Sequence, residues 1–139
     1  MIAFFLIGSG ACEKENNNVK DLLGTWKCIG FGDSETNEIT EIEPHGWEKS
    51  YTITFNADGT LTGQTSTNEA SGNFKADMDS KKVVIEFSAL TEINELFDGT
   101  KFIEAINHIH SYNLTRQDDL QLFYGEEDKY LFFKAIKKF

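Results

Sequence analysis

The sequence is poor in basic residues, in long apolar runs and in catalytic motifs. Its 13 basic residues face 23 acidic ones, for a formal net charge of −10. No cluster of Lys or Arg is dense enough to follow a phosphate backbone, which argues against nucleic acid as a partner. No run approaches the roughly 18 apolar residues that a membrane-spanning helix needs. The Gly-x-Ser-x-Gly motif and the Walker loop are absent, so two common signatures of an enzyme are missing.

What the sequence does contain is enough apolar material for one packed core. Hydrophobic residues make up 40% of the 139 residues, and twelve of them are Phe. A chain of this length buries about two thirds of its unfolded surface on folding. We therefore expect one globular domain.

The first twelve residues resemble a lipoprotein export signal. An apolar stretch, residues 2–7, is followed by the small residues "GSGA", 8–11, and then by Cys12. This order resembles the lipobox of bacterial lipoproteins, in which a peptidase cuts before a cysteine whose thiol is then acylated. The resemblance implies a lipid anchor at Cys12. The alternative is a first β-strand that contains a buried cysteine.

The polar stretch "EKENNN" after Cys12 favours the anchor over the strand, because it has no apolar period and fits a flexible tether. We divide the chain into a signal-peptide remnant, residues 1–11, a lipidated cysteine with its tether, residues 12–21, and a folded domain, residues 22–139. If Cys12 carries lipid, Cys28 has no cysteine partner and an intrachain disulfide is excluded.

Short runs with alternating apolar residues predict strands in the folded domain. In one of them Tyr51, Ile53 and Phe55 share a face, and threonines occupy the other. The "NADG" stretch that follows is a tight hairpin connection in which Gly59 can take a positive φ. The predicted strands are residues 25–31, 50–55, 60–65, 82–87, 111–115, 120–124 and 130–136.

One segment departs from the two-residue period and predicts a helix over about residues 100–109, with Asp98 or Thr100 available as the N-cap. The apolar residues that recur there at spacings of three and four are Phe102, Ile103, Ile106 and Ile109. The polar stretch 33–49, which holds the only proline, is predicted to be a loop or lid without an assigned structure. The fold class is therefore α+β: mainly antiparallel β-sheet, or a partly closed β-barrel, packed with one helix.

The order of these elements and three short motifs, "GTW", "TFNADGTLTG" and "TNEASGNF", resemble the META domain, the family of HslJ-like bacterial envelope proteins. The central family signature is Gly-Cys-Asn, then Gly after three residues, then an aromatic two further on. Asn68, Gly72 and Phe74 match it, whereas Ser66 and Thr67 replace Gly and Cys.

A second family pattern has Thr, Met and Cys at alternate positions. Thr91 and Ile93 fit it, and Glu95 replaces the cysteine. Both family cysteines are thus absent together, which is coherent if they pair in relatives. The resemblance implies a small antiparallel sheet or partly closed barrel around one helix, a location in the cell envelope, stress-linked or adhesion-linked roles, and no catalytic machinery.

Two interpretations remain open for the stretch that carries Asn68, Glu69, Gly72 and Phe74. It is either a structural turn, with Asn bonding its own backbone and Gly in a conformation that other residues avoid, or a binding loop.

The alternative family is the lipocalin-like barrels, which also begin with Gly-x-Trp, here Gly24-Thr25-Trp26. Such a barrel encloses an apolar ligand among its inward residues. Trp26 and Trp47 are the candidate groove aromatics. The short chain and the helix in its middle argue against this alternative.

Polar clusters give no metal, cofactor or catalytic prediction. The predicted helix places His108 in its last turn and His110 just beyond it, so the two diverge and do not form a zinc site together with His45. Asp77 and Asp79 have the spacing of a calcium loop, but no glycine or distal glutamate completes it. The pairs Glu41 and Glu43, and Glu126 and Glu127, lie in polar runs without apolar neighbours to raise a carboxyl pKa, as glycosidase carboxylates would need.

Taken together, the sequence predicts a non-enzymatic, lipid-anchored envelope protein. We expect an outer-membrane lipoprotein of a Gram-negative bacterium that faces the periplasm or the cell surface. Its partners are the membrane, through Cys12, and an envelope protein, a glycan or a small ligand. We expect a monomer without cofactor.

Overall fold

Alternation of apolar and polar residues gives each strand one buried and one exposed face. In β6 the side chains of Val83, Ile85 and Phe87 are buried, whereas those between them are exposed. The computed structural model describes residues 19–90, 94–116, 118–126 and 128–139. Its strands are β1 (Gly24–Asp33), β2 (Glu38–Glu41), β3 (Thr52–Phe55), β4 (Thr60–Gln64), β5 (Glu69–Asp77), β6 (Lys82–Ala89), β7 (Ile109–Arg116), β8 (Asp119–Tyr124) and β9 (Lys129–Lys138).

These strands form a closed antiparallel barrel. β1 pairs with β3, each later strand pairs with the next, and β9 pairs back onto β1 along almost its whole length. In the described part of the chain eight strands make up the barrel, and β2 adds a hairpin extension to the second half of β1. The predicted α+β class, with an antiparallel barrel and one helix, is confirmed, and the barrel is closed.

The chain's own side chains fill the barrel interior. Trp26, Phe55 and Phe133 are fully buried. Phe55 meets Phe74 edge to face, with ring centroids 4.9 Å apart. Each such aromatic residue buries a large apolar area and adds a favourable ring contact. The core is therefore solid among these residues.

One α-helix, α1 (Gly99–Ile106), packs against one end of the barrel. Phe102 and Ile106 are fully buried, and the Phe102 ring lies 5.2 Å from that of Tyr51. The helix ends earlier than predicted, because Ile109 of the apolar stripe already belongs to β7. Asp98 occupies the N-cap position, but its carboxylate accepts a hydrogen bond from the backbone N–H of Glu43 and makes no cap bond.

Among the described strands, the pairing is weakest at the seam between β6 and β7. The two strands share a single register pair, Lys82 with Ser111. Beyond it the Asn107 side chain takes the place of a strand. Its Oδ1 accepts from the Phe87 N–H at 2.9 Å, and its Nδ2 donates to the Phe87 carbonyl at 2.8 Å. One amide side chain thus satisfies both backbone groups of a strand residue.

The registers define two ends of the barrel. At the N-terminal end lie a short 3₁₀ helix (Lys20–Leu22), the C-terminus, and the β3–β4, β5–β6 and β7–β8 hairpins. The Phe139 N–H donates to the Leu23 carbonyl there, which joins the last residue to the segment between the 3₁₀ helix and β1. At the helix end lie α1, the loop 42–51, the β4–β5 loop and the β8–β9 turn.

Two local expectations need correction. The stretch 33–49 is not loop throughout, since it contains β2, a strand with four exposed residues that carries no burial pattern. Gly72 lies inside β5 and not in a turn. It is required for space: a Cβ there would lie 1.7 Å from the Glu86 carbonyl oxygen of the neighbouring strand. Gly59 has a φ of +90°, so the positive φ in the β3–β4 hairpin is confirmed.

Candidate functional site

A cluster of polar side chains around Glu95 closes the helix end; we call Thr65, Ser66, Asn68 and Glu95 the Glu95 clasp. Thr65 Oγ1 donates to one carboxylate oxygen of Glu95 at 2.8 Å, and Ser66 Oγ donates to the other at 2.8 Å. The Asn68 side-chain amide also donates to this carboxylate. The β4–β5 loop is therefore wrapped around an acceptor that lies 27 or more residues away in sequence.

The clasp stabilises the charged form of Glu95. Partial burial on its own raises the pKa of this carboxyl, but the hydrogen bonds from Thr65, Asn68 and Ser66 outweigh it and lower the pKa below its ordinary value. Gly99 leaves room for the cluster, because a Cβ there would come within 2.3 Å of both Glu95 Oε1 and Ser66 Oγ. The donors of the clasp are thus engaged within the protein.

The four residues of the sequence-predicted turn separate in the structure. Asn68 is buried in the clasp, and its backbone N–H donates to Thr65 Oγ1 at 3.0 Å. Glu69 is exposed at the start of β5. Gly72 forms part of the barrel wall, and Phe74 packs in the core. Asn68 and Glu69 lie at the helix end, whereas Gly72 and Phe74 lie further down β5 and carry no exposed functional group.

The two tryptophans also have different environments. Trp26 is fully buried, donates its Nε1–H to the Leu22 carbonyl at 2.8 Å and has the Lys138 ammonium 4.4 Å from its ring centroid. It belongs to the core and not to a groove. Trp47 is 44% exposed and meets Phe97 edge to face at 6.0 Å. Trp47 thus forms part of an exposed rim at the helix end.

An open groove of about 800 Å³ crosses the outside of the barrel beside the loop 42–51. We call it the lateral groove. Its floor is the outer face of β9, β1, β3, β4 and β5, and the loop residues 45–49 form one wall. The residues that line it are Thr25, Lys27, His45, Gly46, Glu48, Lys49, Thr52, Thr62, Gly63, Gln64, Glu69 and Ile136.

Lys27 attaches the loop wall to the barrel. Its Nζ donates to the carbonyl of Trp47 at 2.6 Å and also to the carbonyl of Ser50. Desolvation lowers the pKa of Lys27 from its ordinary value. The ammonium therefore serves mainly to bind backbone carbonyls of this chain.

Charge is distributed unequally between the two ends. Among the residues that the structure describes, acidic and basic side chains are close to balance near the N-terminal end, whereas acidic ones dominate the helix end. The acidic residues described there are Asp33, Glu35, Glu38, Glu41, Glu43, Glu48, Glu69, Glu95, Asp98, Glu104, Glu126 and Asp128, and the basic ones are Lys27, Lys49, Lys101 and Lys129.

Metal-ligating groups come together at one exposed place among the described residues. Possible ligand atoms of Glu41, Glu43 and His45 lie within 4.8 Å of one another. All three residues are exposed, and His45 Nδ1 lies 3.1 Å from a Glu43 oxygen, an ordinary surface pair. His108 and His110 do not join them: His108 Nδ1 contacts the Glu104 carbonyl and His110 Nδ1 contacts Ser111 Oγ.

Cys28 is the described residue with the most nucleophilic side-chain type, and it is inert. It is 1% exposed, with its Sγ 3.8 Å from the Gly30 carbonyl oxygen. Burial raises the pKa of the thiol well above its ordinary value, so it stays protonated. Cys12, the predicted lipidation site, lies outside the described residues, as do Thr91, Ile93 and Glu127.

Comparison with known proteins identifies the family. The family described as "Domain of unknown function (DUF4847)" matches residues 14–135, most of the chain. This chain belongs to the DUF4847 family. The barrel is similar to the crystal structure of a DUF4847 family protein from Bacteroides vulgatus ATCC 8482, with a TM-score of 0.66 and 22% identity over 85% of this chain and 95% of that one. No curated protein matches the chain.

Because the chain belongs to the DUF4847 family, the assignment to the META domain family that the sequence motifs suggested is wrong. The motifs behind it were short, and several of their residues serve the local packing of a DUF4847 barrel: Gly72 for space and Phe74 as a core ring. No helix in the described part of this DUF4847 chain is long and apolar enough to cross a membrane.

Sequence reasoning missed most of the groove and of the clasp. Thr52, Thr62 and Gln64 carried a signal, since they occupy the outward positions of two strands joined by a recognisable hairpin. Glu95 carried none, because its partners lie on a distant loop.

Proposed function

We propose that this DUF4847 chain is a non-catalytic, monomeric binding protein of a Gram-negative cell envelope, anchored by lipid on Cys12, and that it binds its ligand on the outside of the barrel. The solid interior supports this proposal most directly. A carrier needs an internal apolar cavity of a few hundred Å³, whereas Trp26, Phe55 and Phe133 occupy the inside of this barrel.

The chemistry of the described polar groups supports a binding role over catalysis. The Glu95 carboxylate receives donors from the clasp and its pKa is lowered, the opposite of what a general acid at neutral pH requires. Cys28 is a buried, protonated thiol. The lateral groove, in contrast, is open and offers polar side chains from four different strands and a loop.

The anchor is tested by metabolic labelling of the source cells with an alkyne fatty acid. We expect label on the wild-type protein and on Cys28→Ala, because Cys28 is buried, and none on Cys12→Ala. Recovery of the wild-type protein in the membrane fraction and of Cys12→Ala in the soluble fraction completes the result. Label that persists on Cys12→Ala overturns the anchor.

The binding mode is tested by native and denaturing mass spectrometry on protein purified from the source cells. We expect the same mass in both, apart from lipid that stays attached in both. A mass excess that disappears on denaturation and that persists in Thr62→Lys, an exposed change in the lateral groove, would indicate a ligand held inside the barrel and overturn external binding.

A further inference from the structure

The lateral groove is uncharged overall, in a protein of net charge −10. Among the described residues that line it, Lys27 and Lys49 balance Glu48 and Glu69, and His45 is paired with Glu43. Lys27 is in addition bound to two backbone carbonyls. A polyanion or polycation therefore finds no excess of opposite charge here, and a neutral ligand is favoured.

A row of hydroxyl side chains runs across the outer face of the barrel and through the groove. The strand registers place Thr25 opposite Thr54, Thr54 opposite Thr62, Thr62 opposite Ser71, and Ser71 opposite Ser88. The Oγ1 atoms of Thr25 and Thr54 lie 2.8 Å apart. Each hydroxyl donates and accepts hydrogen bonds, and the threonine methyl groups add small apolar patches between them.

Neighbouring residues extend this chemistry. Gln64 adds an amide with both donors and acceptors, Glu69 a carboxylate acceptor and Lys49 a donor, and exposed Ile136 adds an apolar contact at the far side of the groove. Five neighbouring strands contribute, so the floor is about 19 Å across at a spacing of ~4.8 Å per strand. The distance of about 19 Å across the strands is long enough for an extended ligand. The groove is also open, so a ligand chain can continue beyond it.

A peptide is disfavoured by the same floor. Peptides that bind to sheets usually add a strand to an unpaired edge, but β3 and β4 are each paired on both sides, and β1 pairs with β9, β3 and β2. The groove also lacks, among its described residues, the large apolar pockets that hold peptide side chains.

We propose that the lateral groove binds an uncharged oligosaccharide, laid across the outer faces of β1, β3 and β4. Sugar rings present alternating hydroxyl groups and C–H faces, which match the hydroxyls and methyl groups of Thr25 and Thr62. The Thr52 hydroxyl donates to the Lys49 carbonyl at 3.0 Å and remains available as an acceptor. The inference deepens the proposed function, since it names the ligand class of the external surface, and it rests on that function for the external mode of binding.

The test is a titration followed by backbone amide NMR shifts, on the chain carrying Cys12→Ala so that lipid is absent. The probes are the hexamers of β-1,4-glucose, α-1,4-glucose, β-1,4-xylose, β-1,4-mannose and β-1,4-N-acetylglucosamine, each at about 1 mM, with hexagalacturonate as a charged comparator and an alternating Lys-Leu decapeptide. We expect at least one neutral hexamer to shift the amides of Thr52, Thr62 and Gln64, and the two comparators to leave them unchanged.

Matched variants locate the site. Thr62→Lys, an exposed change inside the groove, should weaken the affinity for that hexamer about tenfold or more. Thr115→Lys, an exposed change on β7 across the barrel, should leave the affinity unchanged. The amide spectrum of each variant checks its fold.

Three results overturn the proposal: no groove shift with any neutral hexamer, equal loss of affinity in both variants, or shifts caused by the decapeptide or hexagalacturonate alone. These results are independent of the labelling at Cys12, so a failed groove leaves the anchor intact and a failed anchor leaves the groove intact.

Discussion

The two ends of the barrel are closed by different chemistry. At the N-terminal end, Val19 and Leu22 of the 3₁₀ helix and its N-cap are buried, and the Leu22 carbonyl accepts from Trp26 Nε1–H, so the closure is largely apolar. At the helix end, α1 supplies an apolar plug, but the surrounding loops are held by hydrogen bonds, in the Glu95 clasp and at Asn107. The first end depends on buried area and the second on bonding geometry and protonation.

This difference predicts where the molecule opens first. Burying a large apolar side chain stabilises by about 1.5–3 kcal/mol, whereas a typical hydrogen bond contributes about 0.5–1.5 kcal/mol net. Segments held mainly by surface-accessible hydrogen bonds open locally at low free energy. We therefore expect the loops at the helix end to open more readily than the N-terminal end, and the lateral groove borders those loops.

The largest effect is expected at the apolar end. Trp26→Ala removes a fully buried ring and its bond to the Leu22 carbonyl, and should lower the free energy of unfolding by about 3–5 kcal/mol. Urea unfolding followed by circular dichroism measures it. The control is Trp47→Ala, where the ring is 44% exposed and the loss should stay below about 1 kcal/mol. Equal losses would remove the distinction between the two ends.

A substitution at the seam between β6 and β7 should lower the free energy of unfolding by less than Trp26→Ala does, and its effect on amide exchange should stay local. Asn107→Ala leaves the N–H and the carbonyl of Phe87 without their side-chain partner, which should cost about 1–3 kcal/mol. Amide hydrogen exchange should speed up at Phe87 while the amides of β3 and β4 keep their protection. Asn113→Ala, which loses only an exposed bond to Gln121, should change neither quantity. Uniform acceleration along the barrel would contradict a local seam.

Acid should weaken the polar end selectively. Because the pKa of Glu95 is lowered in the folded protein, its contribution is complete above the ordinary pKa and disappears as the pH falls through the lowered value. Glu95→Gln should cost about 1 kcal/mol at neutral pH, an amount reduced by the partial exposure of this group.

The same variant should flatten the acid limb of stability against pH. Urea unfolding between neutral and acidic pH measures the difference between the two proteins, which cancels other carboxylates with a lowered pKa such as Asp33 and Asp58. Glu104→Gln, an exposed change on α1, is the control and should follow the wild type. If the free energy of unfolding of Glu95→Gln and of the wild type fell in parallel as the pH decreased, the Glu95 clasp would not contribute to the acid dependence of stability.

The smallest effect belongs to surface charge at the N-terminal end. Lys134 Nζ lies 2.9 Å from an Asp119 oxygen, and Lys134 is exposed. Lys134→Ala should change the free energy of unfolding by less than about 1 kcal/mol, with the difference shrinking in high salt. A larger, salt-independent loss would mean that charge, and not burial, holds this end together.

The barrel could be predicted from sequence where a pattern is local. The alternation of apolar and polar residues predicted β3, β6 and β8. The turn at Gly59 predicted the hairpin between β3 and β4. β2 was not predicted, because all four of its residues are exposed and show no alternation. β5 was not predicted, because Gly72 interrupts its apolar face. The contacts of the Glu95 clasp and of Asn107 were not predicted for a different reason. Each joins a side chain to groups 20 or more residues away, and a local sequence pattern does not encode such a pairing.

The uneven charge of the barrel has a consequence for crowding. With acidic residues gathered at the helix end and near balance at the other, the molecule is an electric dipole as well as an anion. Copies held side by side on a surface by their N-terminal ends would repel one another most strongly at their free tips. At physiological salt that repulsion reaches only about 8 Å. It would keep neighbouring tips apart, and the grooves beside them open, without any contact between the molecules.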